Sequence, residues 1–75
     1  MIIVNIDLEL YKFFYAVAKN KNMTKASEEL HISQPAISQS IKKLEEQLGG
    51  TLFLRSNKGM ELTEEGKMFL FNNFN

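Results

Sequence analysis

The polar side chains whose types and spacing could do specific chemistry lie between Ser33 and Lys43. This segment supplies hydroxyl, amide and ammonium groups and contains no acidic residue. A glutamine can hydrogen-bond an adenine at two points, and a serine can donate or accept at a base edge. Lysines can contact phosphates, which orient a protein on a duplex without reading its sequence. The segment therefore suggests recognition by hydrogen bonding and charge.

The sequence contains few residues that could support catalysis or bind a metal ion. The chain has one histidine, His31, no cysteine and no glycine-rich phosphate-binding loop. Glu64 and Glu65 follow Thr63, an arrangement typical of the start of a helix. We therefore expect no enzyme activity, no catalytic residue, no metal site and no cofactor.

The polar segment is predicted to lie on an amphipathic helix that begins at Gln34. Ser33 is a suitable N-cap, and Pro35 is tolerated in a first turn, where backbone N–H groups have no intrahelical acceptor. Gly49 can end the helix in the left-handed conformation. The buried face is expected to consist of Ile37, Ile41, Leu44 and Leu48.

The other side chains of this helix separate by direction at about 100° per residue. The residues that point away from the apolar stripe, or lie at its flanks, are Pro35, Ala36, Ser38, Gln39, Lys42 and Lys43. The small residues among them, in the first turns, permit close approach to a DNA major groove, and N–H groups near Gln34 could meet a phosphate. Glu45 and its neighbour Glu46 lie where the helix dipole disfavours acids, and we expect them to be solvated or paired with the two lysines.

Two further helices are predicted before this one. The apolar face of the first comprises Leu10, Phe13, Phe14, Val17 and Ala18. Residues 19–22 end it, with Asn20 or Asn22 in the left-handed conformation, and Asn22 or Thr24 can cap the next helix. That second, short helix has the apolar residues Met23, Ala26 and Leu30. His31 is expected to be a turn residue packed against it.

A hairpin and a last helix complete the predicted order of elements. "TLFLR" and "MEL" are short strand-compatible runs joined by the turn-rich residues 56–59. Thr63 is expected to cap the last helix. A short helix, a turn and a longer helix followed by a hairpin are the parts of a winged helix-turn-helix, so we predict a mostly α fold with a three-helix core and a two-stranded β wing.

Composition limits the class of protein. The chain has 75 residues, enough for one small domain, and its nine basic and nine acidic residues give a net charge of zero, which counts against nucleic-acid binding. The charges are unevenly distributed along the chain, because all charged residues between Glu9 and Glu28, and between Glu29 and Glu45, are lysines. No run could span a membrane and no signal peptide is apparent, so we expect a soluble cytoplasmic protein with no membrane partner.

Four motifs, in this order and spacing, carry a resemblance to a known family. They are "SQPAIS", "LEEQLG", "LFLR" and "LTEEG". From about Leu8 to the end, the chain resembles the N-terminal winged helix-turn-helix of LysR-type bacterial transcriptional regulators. The resemblance implies sequence-specific binding of double-stranded DNA in the regulation of transcription.

The resemblance also implies roles for individual residues. It makes the third helix the recognition helix, with DNA-binding positions at Ser33, Gln34, Pro35, Ala36, Ser38, Gln39 and Lys42. Thr24 and Lys25 match positions that touch backbone phosphates in the family. Arg55 and Lys58 match the wing, which lies toward the minor groove.

The last helix is implied to be the start of a linker that forms homodimers. This divides the chain into a DNA-binding domain, 1–62, and the beginning of the linker helix, 63–75. The family continues into a sensor domain, absent here, so a small-molecule effector would act only through that part; we expect a fragment of a longer regulator rather than a naturally minimal protein. Apolar residues that predict the dimer surface are Met68, Phe69, Phe71 and Phe74, although packing onto the first helix would also explain them.

Four positions depart from the family pattern. Gln39 stands where Arg or Lys is more usual, and Ser40 where Gln is frequent. Lys21 stands where Gly is usual, and Ser27 where Ala is usual. The first two affect the expected base preference, and the other two affect the corner between the first two helices.

Two other functions fit the same architecture. One is a different type of winged-helix regulator, such as the molybdate-responsive type, against which "SQPAIS" argues. The other is a protein-contact module whose third helix is buried in a partner. The second gains support if Lys25, Lys42, Arg55 and Lys58 do not share one face.

Overall fold

The computed structural model describes the backbone of residues 8–74 and the side chains of residues 8–72. Four helices and one hairpin follow one another along the chain. They are α1 (Leu8–Asn20), α2 (Met23–Leu30), α3 (Gln34–Leu48), β1 (Phe53–Ser56), β2 (Gly59–Leu62) and α4 (Glu64–Phe74). The predicted fold, a mostly helical winged helix-turn-helix, is confirmed.

The helices begin and end where local side-chain chemistry predicts. Asn22 caps α2 by accepting a hydrogen bond from the Lys25 N–H at 2.8 Å, and Ser33 caps α3 by accepting from Ala36 N–H at 3.3 Å. Gly49 ends α3 with a φ of 75°. These contacts confirm the predicted start of α2 at Asn22 and both predicted ends of α3.

The exit from α1 differs from the prediction. Lys21, rather than Asn20 or Asn22, adopts the left-handed conformation, with a φ of 53°. Asn20 remains helical and donates its side-chain N–H to the Ala16 carbonyl at 2.8 Å, and Asn22 is extended because it caps α2. Both asparagines are thus committed to other hydrogen bonds.

The core lies where α1 packs against α2, α3 and the base of the wing. Its largest fully buried side chains are Phe14, Ile37, Leu44, Leu52 and Val17. Phe13 was expected in this core but is only half-buried, since it lies about 100° around the helix from Phe14. Ala16 is buried although it was not expected there. The packing of α2, α3 and the wing around α1 therefore buries more than one face of that helix.

The wing is a two-stranded antiparallel sheet with a shorter turn than predicted. Ser56 pairs with Gly59, so Asn57 and Lys58 alone form the turn. Gly59 has a φ of 116°, and a Cβ there would collide with the Lys21 carbonyl oxygen. That carbonyl accepts a hydrogen bond from the Met60 N–H at 3.2 Å. The wing is therefore fastened to the turn between α1 and α2.

The start of α4 is fixed against the segment that leads into the wing. Thr63 caps α4 by accepting from the Gly66 N–H at 2.9 Å, as predicted. The Thr63 N–H donates to the Leu52 carbonyl at 2.9 Å, and its hydroxyl donates to the Thr51 carbonyl. No helix among residues 8–74 is long and apolar enough to cross a membrane.

Candidate nucleic-acid interface

The turn between α2 and α3 sets the angle of the helix-turn-helix. His31 ends α2 in the left-handed conformation, with a φ of 58°, and its N–H donates to the Ser27 carbonyl. The Ser27 hydroxyl donates to the Ile32 carbonyl, while the Ile32 N–H donates back to the Ser27 carbonyl at 3.2 Å. His31 is the turn residue expected from the sequence, but its side chain is exposed. Ser27, a departure from the family pattern, thus supports this turn through its side chain.

The outward face of α3 has the orientation that helical phasing predicts. Pro35, Ser38, Gln39, Lys42 and Lys43 are exposed, and Ala36 is half-buried at the edge. The opposite face is buried in the core. The Ser40 hydroxyl donates to the Ala36 carbonyl at 2.9 Å, so this side chain is bonded within its own helix. The predicted orientation of these side chains is confirmed, and their contact with DNA stays a prediction.

The first turns of α2 and α3 lie side by side. The Gln34 amide donates to the Thr24 hydroxyl at 3.2 Å, which joins the two helix starts directly. Thr24, Lys25 and Gln34 are all exposed there. Ser33 is also exposed, but its hydroxyl oxygen already accepts the capping bond from Ala36. The structure therefore brings the predicted residues of α2 and α3 onto adjoining helix ends.

Arg55 and Lys58 of the wing face different surroundings. Arg55 lines an open depression of about 480 Å³ together with residues from both helices, namely Met23, Ser27, Gln34, Pro35 and Ser38. Lys58 lines a separate depression of about 420 Å³ with Lys21 and Lys67. The structure thus places Arg55 beside the start of α3 and Lys58 at a second depression.

The cations of α3 and of β1 are available for an anion. Among the side chains of residues 8–72, the ion pairs are Lys19–Glu29, at 3.0 Å, and Lys67–Glu64, at 3.6 Å, and neither involves α3 or β1. The Asn20 side chain and, after it, Lys19 donate hydrogen bonds to Glu29 and lower the pKa of its carboxyl. The expected pairing of the two acids with Lys42 or Lys43 is therefore not found within this part of the chain.

Glu45 has a structural role that sequence reasoning missed. One carboxylate oxygen accepts hydrogen bonds from the Leu52 N–H at 2.8 Å and from the Phe53 N–H at 3.4 Å. The half-buried side chain therefore joins the end of α3 to the start of β1. The signal available in the sequence was its position, because an acid near a helix C-terminus is unfavourable unless a tertiary partner compensates.

The apolar residues of α4 divide between the core and the surface. Phe69 is 5% exposed, and its ring centroid lies 5.0 Å from that of Phe14 and 5.4 Å from that of Tyr11. Its predicted place in a dimer surface is therefore wrong, because the ring is buried against α1 within its own chain. Met68 and Phe71 are 62% and 70% exposed. The Phe74 side chain lies outside the described residues.

A tri-helical core, a helix-turn-helix with a cation-bearing outer face and a following hairpin together define the winged helix-turn-helix class. The family described as "Bacterial regulatory helix-turn-helix protein, lysR family" matches residues 8–67. The chain belongs to this family, whose members are transcriptional regulators and not enzymes. The family expected from the four sequence motifs is confirmed.

Curated relatives support the assignment over most of this chain. The HTH-type transcriptional regulator BudR of Klebsiella aerogenes is 47% identical over 64 residues, which cover 85% of this chain and 45% of BudR. The uncharacterized regulator YcgK of Bacillus subtilis (strain 168) is 45% identical over 65 residues, or 87% of this chain and 20% of YcgK. The chain thus spans less than half the length of these relatives.

Solved structures give the same result. The CbnR_DBD-DNA complex aligns with a TM-score of 0.84 and 42% identity over 89% of this chain and 77% of that chain. The BenM_DBD/catB site 1 DNA complex aligns with a TM-score of 0.84 and 36% identity over 89% of this chain and 75% of that chain. The fold of this chain is therefore that of LysR-family DNA-binding domains.

Proposed function

We propose that this chain binds double-stranded DNA in a sequence-specific manner, as the DNA-binding domain of a bacterial transcriptional regulator. The observation that carries the proposal is the outer face of α3, which is exposed, small and polar in its first turns. No acid lies between Ser33 and Lys43, and Arg55 lies beside the start of the helix. A surface of this kind fits a major groove because it permits close approach and offers donors and acceptors to base edges.

Within this surface, the residues differ in what they can recognise. Ser38 and Gln39 lie on the exposed face early in α3 and are proposed to contact base edges. Pro35 and Ala36 keep that end of the helix compact. Lys42 and Lys43 follow one turn later and are proposed to contact phosphates, as are Thr24 and Lys25 at the start of α2.

The bond between Gln34 and Thr24 gives these two residues a shared function. It fixes the distance between a base-reading helix and a phosphate-contacting helix end. Ser33 contributes mainly through the cap that starts α3. Arg55 is proposed to reach the minor groove next to the same base pairs, and Lys58 the backbone beyond the wing.

The relatives support the proposal for the whole protein. The related structures include DNA complexes of CbnR and BenM, and one is titled as full-length CbnR with its target DNA. We propose a homodimer formed through the exposed residues Met68 and Phe71 of α4, a cytoplasmic location, and an effector that acts through a sensor domain. These three properties are proposed from relatives of which this chain spans less than half the length.

Titration of a labelled duplex from a random pool tests DNA binding. Four cations, Lys25, Lys42, Lys43 and Lys58, are proposed to contact phosphates, which predicts a loss of affinity of about 150-fold between 50 and 200 mM salt. Binding without salt dependence, or no binding at low salt, would refute the proposal and favour the protein-contact module.

Selection of bound sequences from the same pool tests the base-reading roles. Gln39→Ala is expected to change which sequences are selected, whereas Lys42→Ala is expected to weaken binding to all of them and to reduce the salt slope by about one. Gln47→Ala is the matched control, because Gln47 is an exposed glutamine near the other end of α3. An unchanged selection with Gln39→Ala would remove this residue from base recognition.

A further inference from the structure

Lys21 occupies a backbone conformation that does not suit its residue type. Its φ of 53° lies in the left-handed region, where a Cβ is crowded and glycine is favoured. Such strain persists where the surrounding structure or a function compensates for it. A lysine at this position therefore requires a reason beyond the path of the chain.

The backbone contacts of Lys21 do not supply that reason. Its N–H donates to the Val17 carbonyl at 2.7 Å, and its carbonyl accepts from the Met60 N–H at 3.2 Å. Gly59 approaches the same carbonyl so closely that no side chain fits there. All three contacts use main-chain atoms of Lys21, so a glycine could make them with less strain. Any advantage of lysine over glycine at this position would therefore come from the side chain.

Lys21 lines a concave surface between the wing, the end of α1 and α4. Lys58 and Lys67 line the same depression, and Glu61 is the acid among its lining residues. Lys67 pairs with Glu64 at 3.6 Å, whereas among residues 8–72 no carboxylate lies within 4.0 Å of Lys21 or Lys58. Two unneutralised lysines thus face one depression, which is a favourable place for an anion.

The position of this depression favours a DNA phosphate as the anion. Lys21 directly precedes the start of α2, where Thr24 is bonded to Gln34 of the recognition helix. Arg55 lines a different depression, but its directly opposite partner in the hairpin, Met60, lines the one that holds Lys21 and Lys58. A DNA strand that passes the start of α2 and follows the wing would therefore meet Lys21 and Lys58 as well as Arg55.

We propose that Lys21, together with Lys58, binds a backbone phosphate of the duplex that α3 reads. This rests on the proposed DNA-binding function. The contact adds affinity without sequence preference and compensates for the strained backbone at Lys21.

Three variants of the 75-residue chain test the proposal by thermal unfolding and by salt-dependent duplex titration. Lys21→Gly is expected to raise the Tm, because glycine relieves the left-handed strain, and yet to weaken DNA binding several-fold at 50 mM salt. Lys21→Gln, which keeps the Cβ, is expected to weaken binding equally without raising the Tm. For both, the deficit relative to the original chain is expected to shrink by about 3.5-fold between 50 and 200 mM salt, as for one lost phosphate contact.

Lys12→Gln is the control for net charge. Lys12 is an exposed lysine about two and a half turns earlier, on α1, and it lines a different depression with Leu8 and Tyr15. An equal loss of affinity in Lys12→Gln and Lys21→Gln would overturn the proposal, since it would indicate a general charge effect. Unchanged affinity and salt slope in Lys21→Gln would overturn it while leaving DNA binding intact. Absence of binding by the unaltered chain would instead overturn the proposed function, and this inference with it.

Discussion

Replacing Glu45 by alanine is expected to destabilise the domain by about 2 kcal/mol. The Glu45 carboxylate accepts two backbone hydrogen bonds, of which the one from Leu52 N–H, at 2.8 Å, is the shorter. Leu52 is almost fully buried, so the substitution leaves its N–H group without this partner in the interior. An unsatisfied buried donor costs about 1–3 kcal/mol, and a hydrogen bond to a charged group lies toward the upper end of that range.

A second effect acts in the opposite direction and can be measured separately. Glu45 lies in the last turns of α3, where the helix dipole disfavours a negative charge by about 0.3–1 kcal/mol. Glu46 lies beside it on the same helix and is exposed. Glu46→Ala therefore removes a similar unfavourable charge without breaking the bonds to the wing, and it is the matched control.

Thermal unfolding of the two variants and the unaltered chain provides the measurement. At about 4–8 °C per kcal/mol for a domain of this size, Glu45→Ala is expected to lower the Tm by about 10 °C, and Glu46→Ala to leave it unchanged or slightly raised. Equal stability of the two variants would refute the reasoning, because it would mean that the carboxylate bonds to β1 contribute nothing.

Three further predictions concern the other contacts of the fold. Phe69→Ala is expected to lower the free energy of unfolding by about 3–5 kcal/mol, whereas Met68→Ala, at a side chain that is 62% exposed, is expected to change the unfolding of the monomer much less and to weaken self-association in sedimentation equilibrium. Hydrogen bonds, first from Asn20, lower the pKa of Glu29 below its usual 4.5, so the stability that they add is present above that value and is lost as the pH falls through the lowered pKa. Glu29→Gln is expected to remove this loss of stability in acid, as measured by unfolding at a series of pH values. A variant that loses stability in acid to the same extent as the unaltered chain would contradict this prediction. Gly59→Ala is expected to lower the free energy of unfolding in denaturant by about 2 kcal/mol or more, since its Cβ collides with a carbonyl of the α1–α2 turn. An unchanged free energy of unfolding would show that the contact between the wing and this turn is dispensable.

The ends of the helices could be predicted because their determinants are local. Ser33 and Pro35 start α3, Gly49 ends it and Thr63 starts α4, each through a bond or a dihedral angle set within a few residues. The outward face of α3 follows from helical periodicity alone. The predicted recognition surface was therefore correct in orientation before any tertiary contact was known.

The errors arose where a residue's partner is distant in the chain. Glu45 bonds to backbone groups seven and eight residues away, and periodicity contains no information on that loop. Phe69 is buried because α4 returns to α1, a contact between opposite ends of the chain. Lys21 takes the left-handed turn because both neighbouring asparagines are used as hydrogen-bonding groups. In each case the residue type was compatible with the prediction, and the tertiary contact decided otherwise.

The short segment of residues 51–53 has a mechanical consequence for a dimer. Its N–H groups donate to the Glu45 carboxylate of α3, and its carbonyl groups accept from the N–H and hydroxyl of Thr63, the cap of α4. The angle between α3 and α4 therefore depends on the hydrogen bonds of this segment together with the packing of Phe69 against α1. A dimer formed through α4 would therefore bind half-sites at one separation of about 34–36 Å or a multiple of it. It would bind more weakly to spacings that require the hydrogen bonds of this segment to break.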